Sequence, residues 1–237
     1  MIRGLHYLEL PEEYNVPKDS YSWLRREVNK RLNDEFDAII MVEGERGYGK
    51  SSACFSMAYD FDPKWRLDPK FAVKYLTIYS ALEFTILINY LLNYGDEAEE
   101  IYRRRFIVFE EVGVGASSYL ASSAAVQELA HQLDVLRQFQ INLIMNTPLA
   151  DEVQQLKFRY AHFLIFCVRR DKAERKIYGT WRIRVRTENK ITFVNPLLAR
   201  DKIIDSNSPG MRIIVPFCPD HIGGSHYYEP DHRPHRL

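Results

Sequence analysis

The sequence predicts an α/β protein built on a mostly parallel central sheet flanked by helices. Three observations predict it. Short apolar runs alternate with helical stretches along most of the chain, the pattern left by parallel strands joined through crossover helices. The run FDAIIMVEG (36–44) passes directly into GERGYGKSS (44–52), a glycine-rich turn set between a strand and a helix. The run FIVFEE (106–111) ends in two carboxylates, where a parallel sheet places its ligands.

The elements follow in order. The first residues hold Pro11 and Pro17 and read as an irregular arm. Asp19 or Ser20 can cap a helix that runs to about Asn33. Arg25, Arg26, Lys30 and Arg31 cluster on it, as a solvated face or as a contact with a partner or nucleic acid. FDAIIMVEG is nearly all apolar, which suits a strand buried on both faces. SSACFSMAYDF (51–61) has helical composition. KFAVKYLTIY (70–79) reads as a second strand with its flank. SALEFTILINYLLNYG (80–95) reads as a helix capped by Ser80 and stopped near Gly95. RRRFIVFEEVG (103–113) is a third strand, and a small-residue loop follows it.

Val126, Leu129, Leu133 and Leu136 recur at helical spacing and mark the buried stripe of a helix from about Ala124 to Phe139. INLIMN (141–146) is a fourth strand, ended by Thr147 and Pro148. Residues 151–160 read as helix and HFLIFCV (162–168) as a fifth strand. KIYGTWRIRVR (176–186) alternates: Trp181, Ile183 and Val185 point one way, Arg182, Arg184 and Arg186 the other. NKITFVNP (189–196) can pair with it, giving a basic C-terminal β-hairpin. From Ser206 the prolines, glycines and histidines predict an extended, loosely ordered end. The expected organisation is an N-terminal arm and helix (1–35), a main domain that includes the hairpin (36–196) and an extended tail (197–237).

Composition narrows the function. With 237 residues, 46% of them apolar, the chain can bury a sizeable core. Its formal net charge is zero, yet residues 157–190 carry eleven Lys and Arg against three acids. That excess, interleaved with Phe158, Tyr160, Tyr178 and Trp181, suits contact with nucleic-acid phosphates. It equally suits an exposed strand edge guarded by charge. Cys54, Cys167 and Cys218 are far apart and lack CxxC spacing, which argues against a disulfide framework and for a reducing compartment. The longest apolar stretch, ALEFTILINYLL (81–92), is short and contains Glu83. A cytoplasmic protein without membrane insertion is expected. The tail histidines His221, His226, His232 and His235 have no fixed metal-ligand spacing.

The chemistry lies in three places. Gly44 to Ser51 fits GxxxxGK[ST]. In such a loop the backbone N–H groups of Gly44, Glu45, Arg46, Gly47, Tyr48, Gly49, Lys50, Ser51 and Ser52 can turn toward a phosphate. Lys50 can reach the terminal phosphates, and the Ser51 hydroxyl can bind Mg2+. The helix that follows aims its positive end at the same anion. Glu110 and Glu111 come next: Glu110 is assigned to the metal and Glu111 to the attacking water. Asn146, ending the fourth strand, can orient that water or sense the γ-phosphate. Arg103, Arg104 and Arg105 begin the Glu110 strand at its far end and are poor candidates for the chain's own site. Arg137 and Arg159 are better candidates to complete a neighbour's site, with ordinary salt bridging as the alternative.

Read together, GERGYGKSS, FIVFEEVGVG, the helix ending in VLRQF, and INLIMNTP followed by LKFRYAHFLI resemble the P-loop ATPases of the FtsK–HerA type. The resemblance extends to the compact zonula-occludens-toxin-like ATPases of archaea and their mobile elements, and covers roughly residues 36–196. It implies a RecA-like (ASCE) sheet in which the polar-sensor strand lies between the two Walker strands. It also implies ATP with Mg2+, Glu111 as catalytic glutamate, assembly into a homo-oligomer or ring, and work on DNA such as packaging or transfer. Two departures stand out: Glu110 replaces the usual Asp, and Asn146 with Thr147 replaces the Gln common at that strand end. A nucleotide-gated binding protein with slow hydrolysis is the alternative. The paired acids argue against a small-molecule kinase. Glu45 and Arg46 stand where a partition-type ATPase carries its signature lysine.

Overall fold

Continuous apolar runs have to be buried on both sides, and a sheet interior is where the chain puts them. The computed structural model describes residues 20–110, 123–147, 159–187, 191–202, 204–205, 207 and 210–216. Its sheet is eight-stranded. Five strands are parallel: β1 (Ile39–Gly44), β2 (Thr77–Ile78), β3 (Phe106–Phe109), β4 (Asn142–Asn146) and β5 (Phe163–Asp171). Three more join antiparallel: β6 (Lys176–Arg186), β7 (Ile191–Val194) and β8 (Met211–Pro216). The order is β2-β3-β4-β1-β5-β6-β7, with β8 paired to β6. β4 therefore lies between β1 and β3, as the resemblance implies, and the predicted fold class holds.

The helices are α1 (Ser20–Asn33), α2 (Lys50–Phe61), α3 (Pro63–Leu67), α4 (Pro69–Tyr75), α5 (Ala81–Asn93), α6 (Gly95–Tyr102), α7 (Ser123–Gln138) and α8 (Pro196–Arg200). α2 packs on β1, β3, β4 and β8, and α1 on β8. α5 packs on β2 and on α7, whose Gln132 Nε2 donates a hydrogen bond at 3.1 Å to Thr85 Oγ1 of α5. Ser80 caps α5 as its sequence predicts, accepting from the Glu83 amide at 3.2 Å.

Several expectations change. Residues 70–79 do not form a long strand: α4 takes Pro69–Tyr75, and only Thr77–Ile78 pair with β3. The reason is local. Asp62 and Asp68 each precede a proline and cap a helix, accepting from the Lys64 and Phe71 amides at 2.8 and 3.1 Å. α5 stops at Asn93 with Tyr94 as its cap, near Gly95 as expected, and a further helix, α6, starts on Gly95 itself. Part of the expected loose end is ordered: Met211, Ile213 and Val215 are buried while Arg212, Ile214 and Pro216 are exposed, so β8 is a half-buried strand. The predicted β6–β7 hairpin pairs in register from Ile183 with Val194 to Arg186 with Ile191. β6 is an interior strand, with β5 on one side and β7 and β8 on the other. Its arginines therefore do not guard an open edge. The predicted helix over 151–160 lies, up to residue 158, outside the described residues.

Trp65 anchors α3 against the sheet. It is fully buried, and its Nε1 donates to the Phe106 carbonyl at 2.8 Å. Trp65→Ala removes a large core side chain and leaves that carbonyl unpaired. The expected cost is about 3–5 kcal/mol, read as an earlier urea midpoint with an unchanged slope.

Candidate functional site

Gly44 ends β1 with φ 145°, and Gly47 and Gly49 follow at 89° and 92°. These three positive angles turn the chain from strand to helix within six residues. A side chain at Gly44 is sterically excluded: its Cβ would stand 2.5 Å from the Cys167 carbonyl oxygen. The other end of the loop is walled as well. A Cβ on Gly49 would meet Ile177 Cγ1 at 3.2 Å and Arg170 Cβ at 3.4 Å. The β5–β6 hairpin thus backs the loop at both ends. The sequence holds no signal for that contact, since the residues are more than a hundred positions apart.

Gly49 is the N-cap of α2 and offers no side-chain cap. The first turn, Lys50 to Ser52, therefore presents its N–H groups outward, at the positive end of the helix. Glu45, Arg46, Gly47 and Ser51 are exposed, while Tyr48 leans on the core. The Lys50 ammonium donates to the Gly44 carbonyl at 2.8 Å and to the Glu45 carbonyl at 3.1 Å, folded back across the loop.

Three polar side chains meet beside it. The Ser51 hydroxyl donates to Glu110 Oε2 at 2.7 Å. Asn146 Nδ2 donates to the same oxygen at 2.9 Å and to Ser51 Oγ at 3.1 Å. These side chains come from α2, the end of β3 and the end of β4. The sheet order brings them together, because β3 and β4 are neighbours and β4 pairs Asn146 with Val42 of β1. Glu110 and Asn146 are buried, and Asn146 Oδ1 is a buried acceptor without a partner among the described residues. A hydroxyl, a carboxylate and an orphaned amide oxygen form a set of hard oxygen donors. Such a set fits Mg2+ held partly through water. The loop's N–H groups and Lys50 fit the phosphates such a metal accompanies. Groups of three or more His, Cys, Asp or Glu placed to hold a metal are absent among the described residues.

Not every predicted residue joins this site. Glu111 lies outside the described residues. Arg137 stands at the opposite edge of the sheet, its Nε 3.9 Å from Oδ1 of Asp37, which precedes β1. Seven residues of strand at ~3.3 Å each put Asp37 roughly 20 Å from Gly44. Arg137 thus cannot act on its own chain's phosphate loop. Arg159 stacks over Tyr160 at 5.2 Å. Arg103, Arg104 and Arg105 pair with Glu99, Glu35 and Asp62, away from the loop as expected. Cys54 and Cys167 are buried free thiols, and burial pushes both up, Cys167 to about 12, which disfavours the thiolate. That opposite edge holds a cluster without any local signal in the sequence, formed by Arg31, Asp37, His162 and Arg184.

No protein-family model matches the chain, and no curated protein matches it in sequence. Among solved structures it is similar to the N-terminal domain of zonular occludens toxin from Neisseria meningitidis, at 11% identity and a TM-score of 0.41. That match covers 78% of this chain and 96% of the other. It is also similar to domain III of the Thermotoga maritima replication initiation protein DnaA, at 16% identity and a TM-score of 0.32, over 55% of this chain and 52% of that one. C. elegans PCH-2 is similar at 19% identity and a TM-score of 0.38, over 62% of this chain and 41% of that one. The chain thus spans less than two thirds of the latter two. The fold assignment rests on the sheet order and the loop, not on these likenesses. Among the described residues no helix is long and apolar enough to cross a membrane.

Proposed function

We propose that the chain binds ATP with Mg2+, hydrolyses it, and uses the hydrolysis to act on DNA as a homo-oligomer. The closest functional description is a translocase or a packaging and transfer ATPase of the FtsK–HerA type. The observation that carries this reading is the meeting of Ser51, Glu110 and Asn146 beside Lys50 at the carboxyl ends of β1, β3 and β4.

The residues take the following roles. The loop from Gly44 to Ser52 cradles the phosphates, and Lys50 leaves its two carbonyls to reach them. Ser51 and Glu110 hold the metal, which neutralises phosphate charge when bound. Asn146 already touches both and orients the group that approaches them. Glu111 accepts the proton of the attacking water. Arg137, beside Asp37 and remote from its own loop, takes no part in that loop's chemistry. The basic segment 157–190 carries the nucleic-acid contact.

A second reading has one observation in its favour. Glu110 is a methylene longer than the usual Asp and hydrogen-bonds Ser51 directly. That geometry suits a nucleotide-gated binding protein with slow turnover. Phosphate release with and without DNA, alongside mass with and without nucleotide, separates the two. A motor shows several-fold stimulation by DNA and a nucleotide-dependent oligomer. A rate that DNA leaves untouched counts against translocation and for the gated binder.

A further inference from the structure

The sheet edge opposite the phosphate loop gathers cations from three elements. Arg31 comes from the last turn of α1, Arg137 from the last turn of α7, and Arg184 from β6. They converge on Asp37. Arg31 Nε donates to the Asp37 carbonyl at 3.0 Å, and Arg137 Nε lies 3.9 Å from the carboxylate. The link to Arg184 runs through His162. His162 Nδ1 accepts from the Ile39 amide at 3.0 Å, and its carbonyl accepts from the Arg184 amide at 2.9 Å.

The charges in this cluster do not cancel. His162 is held neutral: burial first, then Arg31, Arg184 and Arg137, lower its pKa to about 3. With Nδ1 accepting, its ring proton sits on Nε2 and adds one more donor. Asp37 is buried, and burial raises its pKa against the opposing pull of Arg31 and Arg137. Arg137 stands beside the carboxylate, Arg31 holds the carbonyl of the same residue, and Arg184 is close enough to act on both. Three cations share one carboxylate, an arrangement that an incoming anion relieves.

The spacing points to a polyanion. Arg186 continues the same strand face two residues on, ~7 Å from Arg184, and is exposed. That interval is comparable to the distance between successive phosphates of one nucleic-acid strand. A single triphosphate offers no such row. Arg182, the third arginine on this face, is differently placed. Burial lowers it as it lowers Arg31 and Arg184, but the acids acting on it are Asp205 and Glu43 rather than Asp37. It belongs to the protein's internal charge balance.

We propose that Arg31, Arg137 and Arg184, gathered around Asp37 at the edge opposite the phosphate loop, bind the backbone phosphates of a nucleic-acid strand, with Arg186 extending the track and Arg182 outside it. This rests on the reading of the chain as a protein that acts on nucleic acid. It differs from a general basic segment by drawing two of its cations from helices outside residues 157–190.

The test is fluorescence anisotropy of a labelled single-stranded DNA against the full chain over a range of salt. R31Q/R184Q is expected to lower the slope of log affinity against log salt by about two. The fall in affinity between about 50 and about 200 mM salt then shrinks about ten-fold. R31K/R184K keeps the charges and should keep the slope, which separates charge from misfolding. R182Q should bind as the wild type. An unchanged slope in R31Q/R184Q, or an equal loss in R182Q, overturns the proposal. Wild-type protein that binds ATP but no DNA overturns the nucleic-acid reading itself. Variants that bind DNA normally yet fail to restore turnover when mixed with K50A subunits make a neighbour's triphosphate the anion instead, and also overturn it.

Discussion

Lys50→Ala is expected to lower affinity for ATP with Mg2+ by about a hundred-fold or more, the scale of losing one preorganised charged donor. The structure separates this loss from a folding defect. Among the described residues the Lys50 ammonium bonds to the Gly44 and Glu45 carbonyls, at 2.8 and 3.1 Å, in a half-buried position. Water can replace it at both. The melting temperature of the variant should therefore stay within about 3 °C of the wild type. Calorimetric titration with a non-hydrolysable ATP analogue reads the affinity, and thermal unfolding without nucleotide reads the fold. Wild-type affinity in the variant would show that the loop does not hold a triphosphate in the way its glycines and helix terminus suggest. The same pair of carbonyls makes a finer point. In the proposed complex Lys50 exchanges them for phosphate oxygens, so the loop's own contacts would have to open.

The glycine loop was legible in the sequence because its requirements are local. Positive φ angles demand glycine, and a strand, a turn and a helix must follow in that order. The five parallel strands were legible for a similar reason, since their apolar runs had no other place to go. Their order was not local information, and it came only with the resemblance. The short helices α3 and α4 left a signal that was passed over: two Asp-Pro steps, Asp62-Pro63 and Asp68-Pro69, each a cap followed by a favoured first helical residue. β8 left one too, in the alternation of Met211, Ile213 and Val215. It was outweighed by the prolines and glycines around it.

Ser51, Glu110 and Asn146 were each readable as site residues, yet their direct contact was not. It depends on β4 lying between β1 and β3. The placement of Arg137 follows from another non-local fact. A helix that crosses back between parallel strands runs against them, so its last turn lands at the strands' starting edge. Its position near the end of a helix suits a link to a neighbour's catalytic site when the sequence is all there is. The topology puts it with Asp37 instead, at the edge where Arg31 and Arg184 also arrive.

Glu111→Gln is expected to leave ATP affinity unchanged and to cut turnover by about 10²–10⁴-fold, the range for removing a positioned general base. Glu110→Gln should behave differently, and the difference is what assigns the two acids. Glu110 Oε2 accepts from Ser51 Oγ and Asn146 Nδ2 at 2.7 and 2.9 Å. Its carboxylate is thus committed to the side of the site where the hydroxyl stands. Glutamine there keeps an acceptor oxygen but loses the charge that attracts a divalent cation. Turnover in Glu110→Gln should fall and recover in part as Mg2+ is raised. In Glu111→Gln the loss should be indifferent to Mg2+, because the missing group handles a proton. The two variants measured across a Mg2+ series, with bound nucleotide counted separately from released phosphate, make the distinction. Turnover that survives Glu111→Gln moves the water-activating role elsewhere. Turnover that Mg2+ restores in Glu111→Gln but not in Glu110→Gln reverses the assignment of the pair.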